Sequence, residues 1–123
     1  MSQIIPDTCI WGDFIHQNDT HLNELLLADR VIVMDSIVGE LAVGNLSQRD
    51  KTLEFLHELD HIDEPSFHST LAFIEDNQLF GIGLSWVDTI VLHAAQMAGV
   101  ALWTRDKRVA SVAKALGFAH DLS

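Results

Sequence analysis

The chain has 123 residues, 48% hydrophobic and 20% charged, which is the size of one globular domain, too apolar for a disordered protein and long enough to bury a core without disulfides. Eighteen Asp and Glu against seven Lys and Arg give a formal net charge of −11, which excludes nucleic-acid binding through a generally basic surface, leaves it possible only at a local basic patch or a bound cation, and also suits a basic partner protein. The one cysteine, Cys9, allows no internal disulfide, the first residues lack a signal-peptide pattern, and no uncharged apolar run approaches the roughly 18–20 residues of a membrane span, so a cytoplasmic protein without membrane contact is expected.

In chain order, residues 3–7 form a short apolar run predicted to be a buried strand, with Pro6 at its end, where a missing N–H is tolerated. Residues 9–16 read as a helix with Ile10, Trp11, Phe14 and Ile15 on one side. Residues 20–28 read as another, capped by Asp19 or Thr20 and presenting Leu22, Leu25 and Leu26. The β-branched run 30–34 predicts a second buried strand. Asp35 or Ser36 is expected to cap a helix carrying Ile37, Val38, Leu41 and Ala42, and Ser47 a further one with Leu53, Leu56 and Leu59 inward. Residues 61–65 are expected to hold a minor strand.

Residues 66–79 are expected to be helical, with Phe67, Leu71, Ile74 and Phe73 buried. A glycine-punctuated loop over 80–84 precedes a helix opened by Ser85 and closed by Gly99. Residues 100–103 predict a strand, 107–116 a last helix closed by Gly117, and 118–120 a final short strand. Strands alternating with helices throughout predict one α/β domain over residues 1–123 with a small central parallel sheet.

Ligands of open parallel sheets bind beyond the carboxyl ends of the strands. Asp7 and Asp106 fall at or just past two such ends, while Glu40 and Asp88 interrupt apolar helices, where an acid is costly unless paired or bound to a cation. Four converging carboxylates repel one another and would hold protons, and a divalent cation removes that problem. Oxygen ligands suit Mg²⁺ or Mn²⁺ rather than zinc. Arg105, Lys107 and Arg108 flank Asp106, and a metal-binding acid among three cations suits the phosphates of RNA.

A competing pattern, His57-Glu-Leu-Asp-His61, matches the zinc-protease motif in which two histidines on one helical face bind the metal and the glutamate acts as base. Pro65 follows closely, residues 62–63 look extended, and no third ligand motif lies downstream, so a helix end with incidental histidines is expected. Cys9 is expected to be a small core residue.

Four stretches, Pro6-Asp-Thr-Cys-Ile-Trp11, Ser36-Ile-Val-Gly-Glu-Leu-Ala-Val-Gly44, Gly83-Leu-Ser-Trp-Val-Asp-Thr-Ile-Val-Leu92 and Gly99-Val-Ala-Leu-Trp-Thr-Arg-Asp-Lys-Arg108, together resemble the PIN-domain family and, within it, the VapC-type toxins of bacterial toxin–antitoxin pairs. The resemblance spans nearly the whole chain. It implies a small three-layer α/β/α domain and a Mg²⁺- or Mn²⁺-dependent endoribonuclease, inhibited by a cognate antitoxin and often homodimeric. It carries the family's four acids onto Asp7, Glu40, Asp88 and Asp106. Asp7 and Asp88 are then expected as direct metal ligands, Asp106 as a ligand of the metal or of its water, and Glu40 as acting through water. Thr8 and Thr104 supply the adjoining hydroxyls, and Arg105, Lys107 or Arg108 a grip on a flanking phosphate. Helices over 66–79 and 20–28 are candidate partner surfaces. Lys107 and Arg108 stand where some relatives have a further acid, and His93 where many have a smaller residue. The alternative from another class is a catalytically silent PIN-like module that binds RNA or protein.

Overall fold

The computed structural model describes residues 3–17 and 19–120; Met1 and Ser2, part of the signal-peptide reading, lie outside the described residues. The first apolar run is strand β1, Ile4–Pro6, with all three residues buried. It lies parallel to β4, Ala101–Trp103, in the register Ile4↔Ala101 to Pro6↔Trp103. The β-branched run yields β2, Ile32–Val33, parallel to β3, Asp60–His61. An Ile4↔Val31 bridge joins the two pairs, and a Leu102↔Ala119 bridge adds a last row. The rows therefore run β3, β2, β1, β4, then Ala119, all parallel.

The chain leaves β1 toward β2 and β3, then crosses back to place β4 on the other flank. The direction of winding reverses between β1 and β4, and in open parallel sheets the crevice at such a reversal is where ligands bind.

Seven helices flank the sheet among the described residues. Helices α1 (Thr8–Gln17), α2 (Thr20–Leu27), α3 (Asp35–Val43) and α4 (Arg49–Glu58) form one group. Helices α5 (Phe67–Asp76), α6 (Trp86–Ala98) and α7 (Lys107–Leu116) form the other. The result is the expected three-layer α/β/α arrangement. Ile4, Ile5, Leu102, Leu92 and Ile37 are buried at its centre, each contributing about 1.5–3 kcal/mol from removal of apolar surface from water. None of the described helices is long and apolar enough to cross a membrane.

Several local expectations are corrected. Neither Asp35 nor Ser36 caps α3: Met34 occupies the cap position, Asp35 Oδ1 lies 2.9 Å from His61 Nδ1, and the Ser36 hydroxyl donates to Glu64. Gln48, not Ser47, precedes α4, in a left-handed conformation without a side-chain cap. The minor strand is Asp60–His61 rather than residues 61–65. In α5 the buried face carries Thr70 and Phe73, while Phe67 and Leu71 are exposed. Thr70 can be buried because its hydroxyl is hydrogen-bonded to His93 Nδ1 at 3.2 Å, and Phe73 stacks on the same ring at 4.6 Å. Cys9 is exposed rather than in the core.

Candidate active site

Asp7 follows β1 directly, and its amide extends the ladder by donating to the Trp103 carbonyl at 2.8 Å. Its own carbonyl accepts from the Ile10 and Trp11 amides, which starts α1. The side chain is thus held at the reversal point by one strand and one helix start. Asp7 Oδ1 accepts from the Thr8 amide at 2.8 Å, and Oδ2 from the Thr104 hydroxyl at 2.8 Å. Burial raises the Asp7 pKa above the usual carboxylate value; the Thr104 and Thr8 hydrogen bonds oppose that rise, and the nearby carboxylates of Asp88 and Glu40 add to it.

Glu40 comes from α3 and accepts the Thr8 hydroxyl at 2.7 Å. Asp88 sits in the first turn of α6, where it completes a reciprocal cap: the Ser85 amide donates to Asp88 Oδ2 at 2.9 Å and the Asp88 amide to Ser85 Oγ at 3.0 Å. Asp106 caps α7 through Oδ1, which accepts from the Arg108 and Val109 amides at 2.9 and 3.1 Å. Its own amide donates to Thr104 Oγ1 at 3.1 Å. The Thr104 hydroxyl therefore ties the Asp106 turn to the Asp7 carboxylate.

Asp7, Glu40 and Asp88 are brought together electrostatically from three distant segments, and Asp106 joins them through Thr104. Among the described residues, no three Asp, Glu, His or Cys side chains stand close enough to enclose an ion as placed; Asp88 and Asp106 are each turned toward a helix cap. The donor chemistry nonetheless suits a hard cation. Every donor is oxygen, and the mutual repulsion felt at Asp7 is what a divalent cation relieves.

The three cations near Asp106 have different surroundings. Arg105 is ion-paired with Asp13 and with Asp19, the latter at 3.2 Å, and its guanidinium lies over the Trp103 ring at 6.0 Å. Burial pushes the Asp19 carboxyl up, but the Leu22 amide, the Arg105 guanidinium and the His21 amide together hold it below its ordinary value. Arg108 instead packs on Gly83, where an added Cβ would collide with Arg108 Nη1. Lys107 is exposed. Asp13 and Asp19 escaped the sequence reading as partners of Arg105, since nothing in their own spacing announces a cation so far along the chain. The Cys9 thiol borders the same turn, accepting from the Arg105 amide at 3.4 Å.

The protease-like pattern is broken by the fold. Helix α4 ends at Glu58 and His61 lies in β3, where Nε2 faces the Leu56 carbonyl at 3.1 Å, so the two histidines do not share a helical face.

No protein-family model matches the chain. Curated relatives do: it is 33% identical over 117 residues to "Ribonuclease VapC32" of Mycobacterium tuberculosis, in strains CDC 1551 / Oshkosh and ATCC 25618 / H37Rv, covering 94% of both chains. Among solved structures it superposes on a chain of the DNA-bound VapBC from Salmonella typhimurium with a TM-score of 0.69 at 18% identity, covering 89% of this chain and 90% of that one. It also superposes on PAE2754 from Pyrobaculum aerophilum with a TM-score of 0.67 at 12% identity, covering 98% and 89%. The parallel sheet, the acids at its reversal point and the match over 94% of the chain to the curated relatives agree, and the chain belongs to the VapC family of PIN-domain proteins.

Proposed function

We propose that the protein is a divalent-cation-dependent endoribonuclease, the toxin of a toxin–antitoxin pair, acting on tRNA or rRNA by hydrolysis of a phosphodiester. The observation that carries this reading is the half-buried Asp7, held by two hydrogen bonds at the sheet's reversal point while the charges of Asp88 and Glu40 press on its own. Membership in a family whose curated relative is named a ribonuclease supports the same reading.

Asp7, Asp88 and Asp106 would hold Mg²⁺ or Mn²⁺, which when bound acidifies a water and offsets charge developing on the phosphate oxygens. Thr104 orients Asp7, and Thr8 orients Glu40, leaving Glu40 Oε2 to receive a proton from the attacking water. Arg108 and Lys107 meet the phosphates that flank the cut, whereas Arg105 braces the turn through Asp13 and Asp19.

A cognate antitoxin is the expected inhibitor, consistent with the solved VapBC relative. Leu27 of α2, 81% exposed, and the outer face of α5 are candidate contacts for it or for a second copy in a homodimer. The working compartment is the cytoplasm. The silent-module alternative leaves the gathered acids without a purpose.

The deciding experiment incubates the purified chain with tRNA and rRNA, with Mg²⁺ or with excess chelator. Cleavage that needs the cation and disappears in Asp7→Asn is the expected result; cation-independent cleavage, or none, overturns the reading.

A further inference from the structure

We propose that Trp86 and Phe67 form a stacking platform for an unpaired base of the RNA, next to the phosphate cut at the acids, with Arg108 and Lys107 holding the adjoining backbone; this rests on the ribonuclease reading above. Trp11 and Trp103 are buried, but Trp86 is 42% exposed and Phe67 59%. Their ring centroids are 5.4 Å apart, with planes tilted by 51°. Each ring is the first residue of a helix, and each helix start is fixed by a serine cap, Ser85 for Trp86 and Ser66 for Phe67. The backbone that carries each ring is therefore fixed by a cap. Trp86 shares the first turn of α6 with Asp88, and Arg108, whose amide is bound by Asp106, lies on Gly83 in the loop that leads into that turn.

The charge around it points to the ligand. Arg105 is engaged by Asp13 and Asp19, whereas neither Lys107 nor Arg108 makes an ion pair among the described residues. Arg108 lies on Gly83, three residues before Trp86, and with Lys107 and Ile82 it lines a groove of about 300 Å³. The chain has only seven Lys and Arg, and two of them, without an ion pair among the described residues, line a groove with Ile82 in the loop that leads into its exposed tryptophan. Alternating π-faces and cations are what single-stranded nucleic acid requires: bases stack while phosphates are neutralised. A paired helix hides its base faces, so the platform selects unpaired RNA.

The test measures binding of a short single-stranded RNA, and of a duplex of equal length, to the full chain carrying Asp7→Asn so that the RNA survives. Single-stranded RNA should quench tryptophan fluorescence, with Trp86 as the reporter. Adding Trp86→Ala should remove the quenching and weaken single-strand binding by about five- to a hundredfold, the range of one lost base stack. It should leave duplex binding and the salt slope unchanged. Trp86→Phe should retain most of the affinity, and Phe67→Ser should weaken it. Arg108→Ala and Lys107→Ala should each reduce the salt slope by about one. Thermal melts confirm that each variant is folded. Unchanged single-strand affinity in both Trp86→Ala and Phe67→Ser overturns the proposal. So does conversion of a dimer to a monomer by Trp86→Ala with RNA affinity intact, which would make the ledge a contact between copies. If the chain with Asp7 intact cleaves RNA while these variants bind normally, only the platform falls; if that chain cleaves nothing, the ribonuclease reading falls and the platform with it.

Discussion

The Thr104 hydroxyl donates to Asp7 Oδ2 at 2.8 Å across the β1–β4 pair, joining residues 97 apart in the chain. It also accepts from the Asp106 amide at 3.1 Å, so one hydroxyl fixes both an acid and the turn that presents another. Thr104→Val keeps the shape and removes both bonds. RNA cleavage should fall by about ten- to a hundredfold, as is usual for groups that orient a ligand, and Thr104→Ser should restore most of it. Equal activity in Val and Ser variants would show that the hydroxyl is idle.

Asp7→Asn and Asp88→Asn should each abolish cleavage and leave the fold intact. The amide oxygen introduced by Asp7→Asn still accepts from the Thr8 amide, and the one introduced by Asp88→Asn still accepts from the Ser85 amide in the cap. The cation-free Asp7→Asn protein should melt higher than the parent, because burial and two neighbouring carboxylates oppose the Asp7 charge. Thermal melts in chelator, paired with cleavage assays in Mg²⁺, check both halves.

His93 should make stability depend on pH near neutrality. Burial holds its imidazole pKa below the ordinary value, so the unfolded chain binds a proton more readily than the native one. Stability is fully present above the unfolded pKa of about 6.5 and is lost as pH falls from there through the lowered folded pKa. Denaturant titrations of His93→Gln should show a flatter profile across that window. An identical profile would mean that other groups set it.

Gly83→Ala should destabilise by about 1 kcal/mol or more, since φ is +92° there and the new Cβ meets the Arg108 guanidinium. The guanidinium is the far end of a flexible side chain, so Arg108→Ala should recover the steric part and leave the backbone strain. In a double-mutant cycle of melts the two changes should couple; strict additivity would show that the guanidinium yields freely.

What the sequence made legible was local. Ser85, Gly99 and Gly117 could be read as caps because cap chemistry needs only neighbouring residues, and α7 runs over the expected residues 107–116. Asp7 and Asp106 could be placed at strand ends because the apolar runs before them are short and bounded. The failures share a different cause. Asp35 and Ser36 look like caps, but His61 and Glu64 claim their side chains from more than twenty residues away. Helix α5 turns a threonine inward because His93 awaits it on α6, while Phe67 and Leu71, which periodicity would bury, are exposed. The ion pairs of Arg105 were equally illegible, because neither Asp13 nor Asp19 advertises its approach.

The parallel pairing of β1 with β4 has a consequence for timing. Asp7 leaves the ribosome well ahead of the Trp103 carbonyl that receives its amide and the Thr104 hydroxyl that steadies its carboxylate. Until β4 has been made and has crossed back to dock, the acid has no seat, and a nascent or prematurely terminated chain carries the four acids unassembled. The seat of Asp7 therefore exists only in a molecule in which the two strands have met.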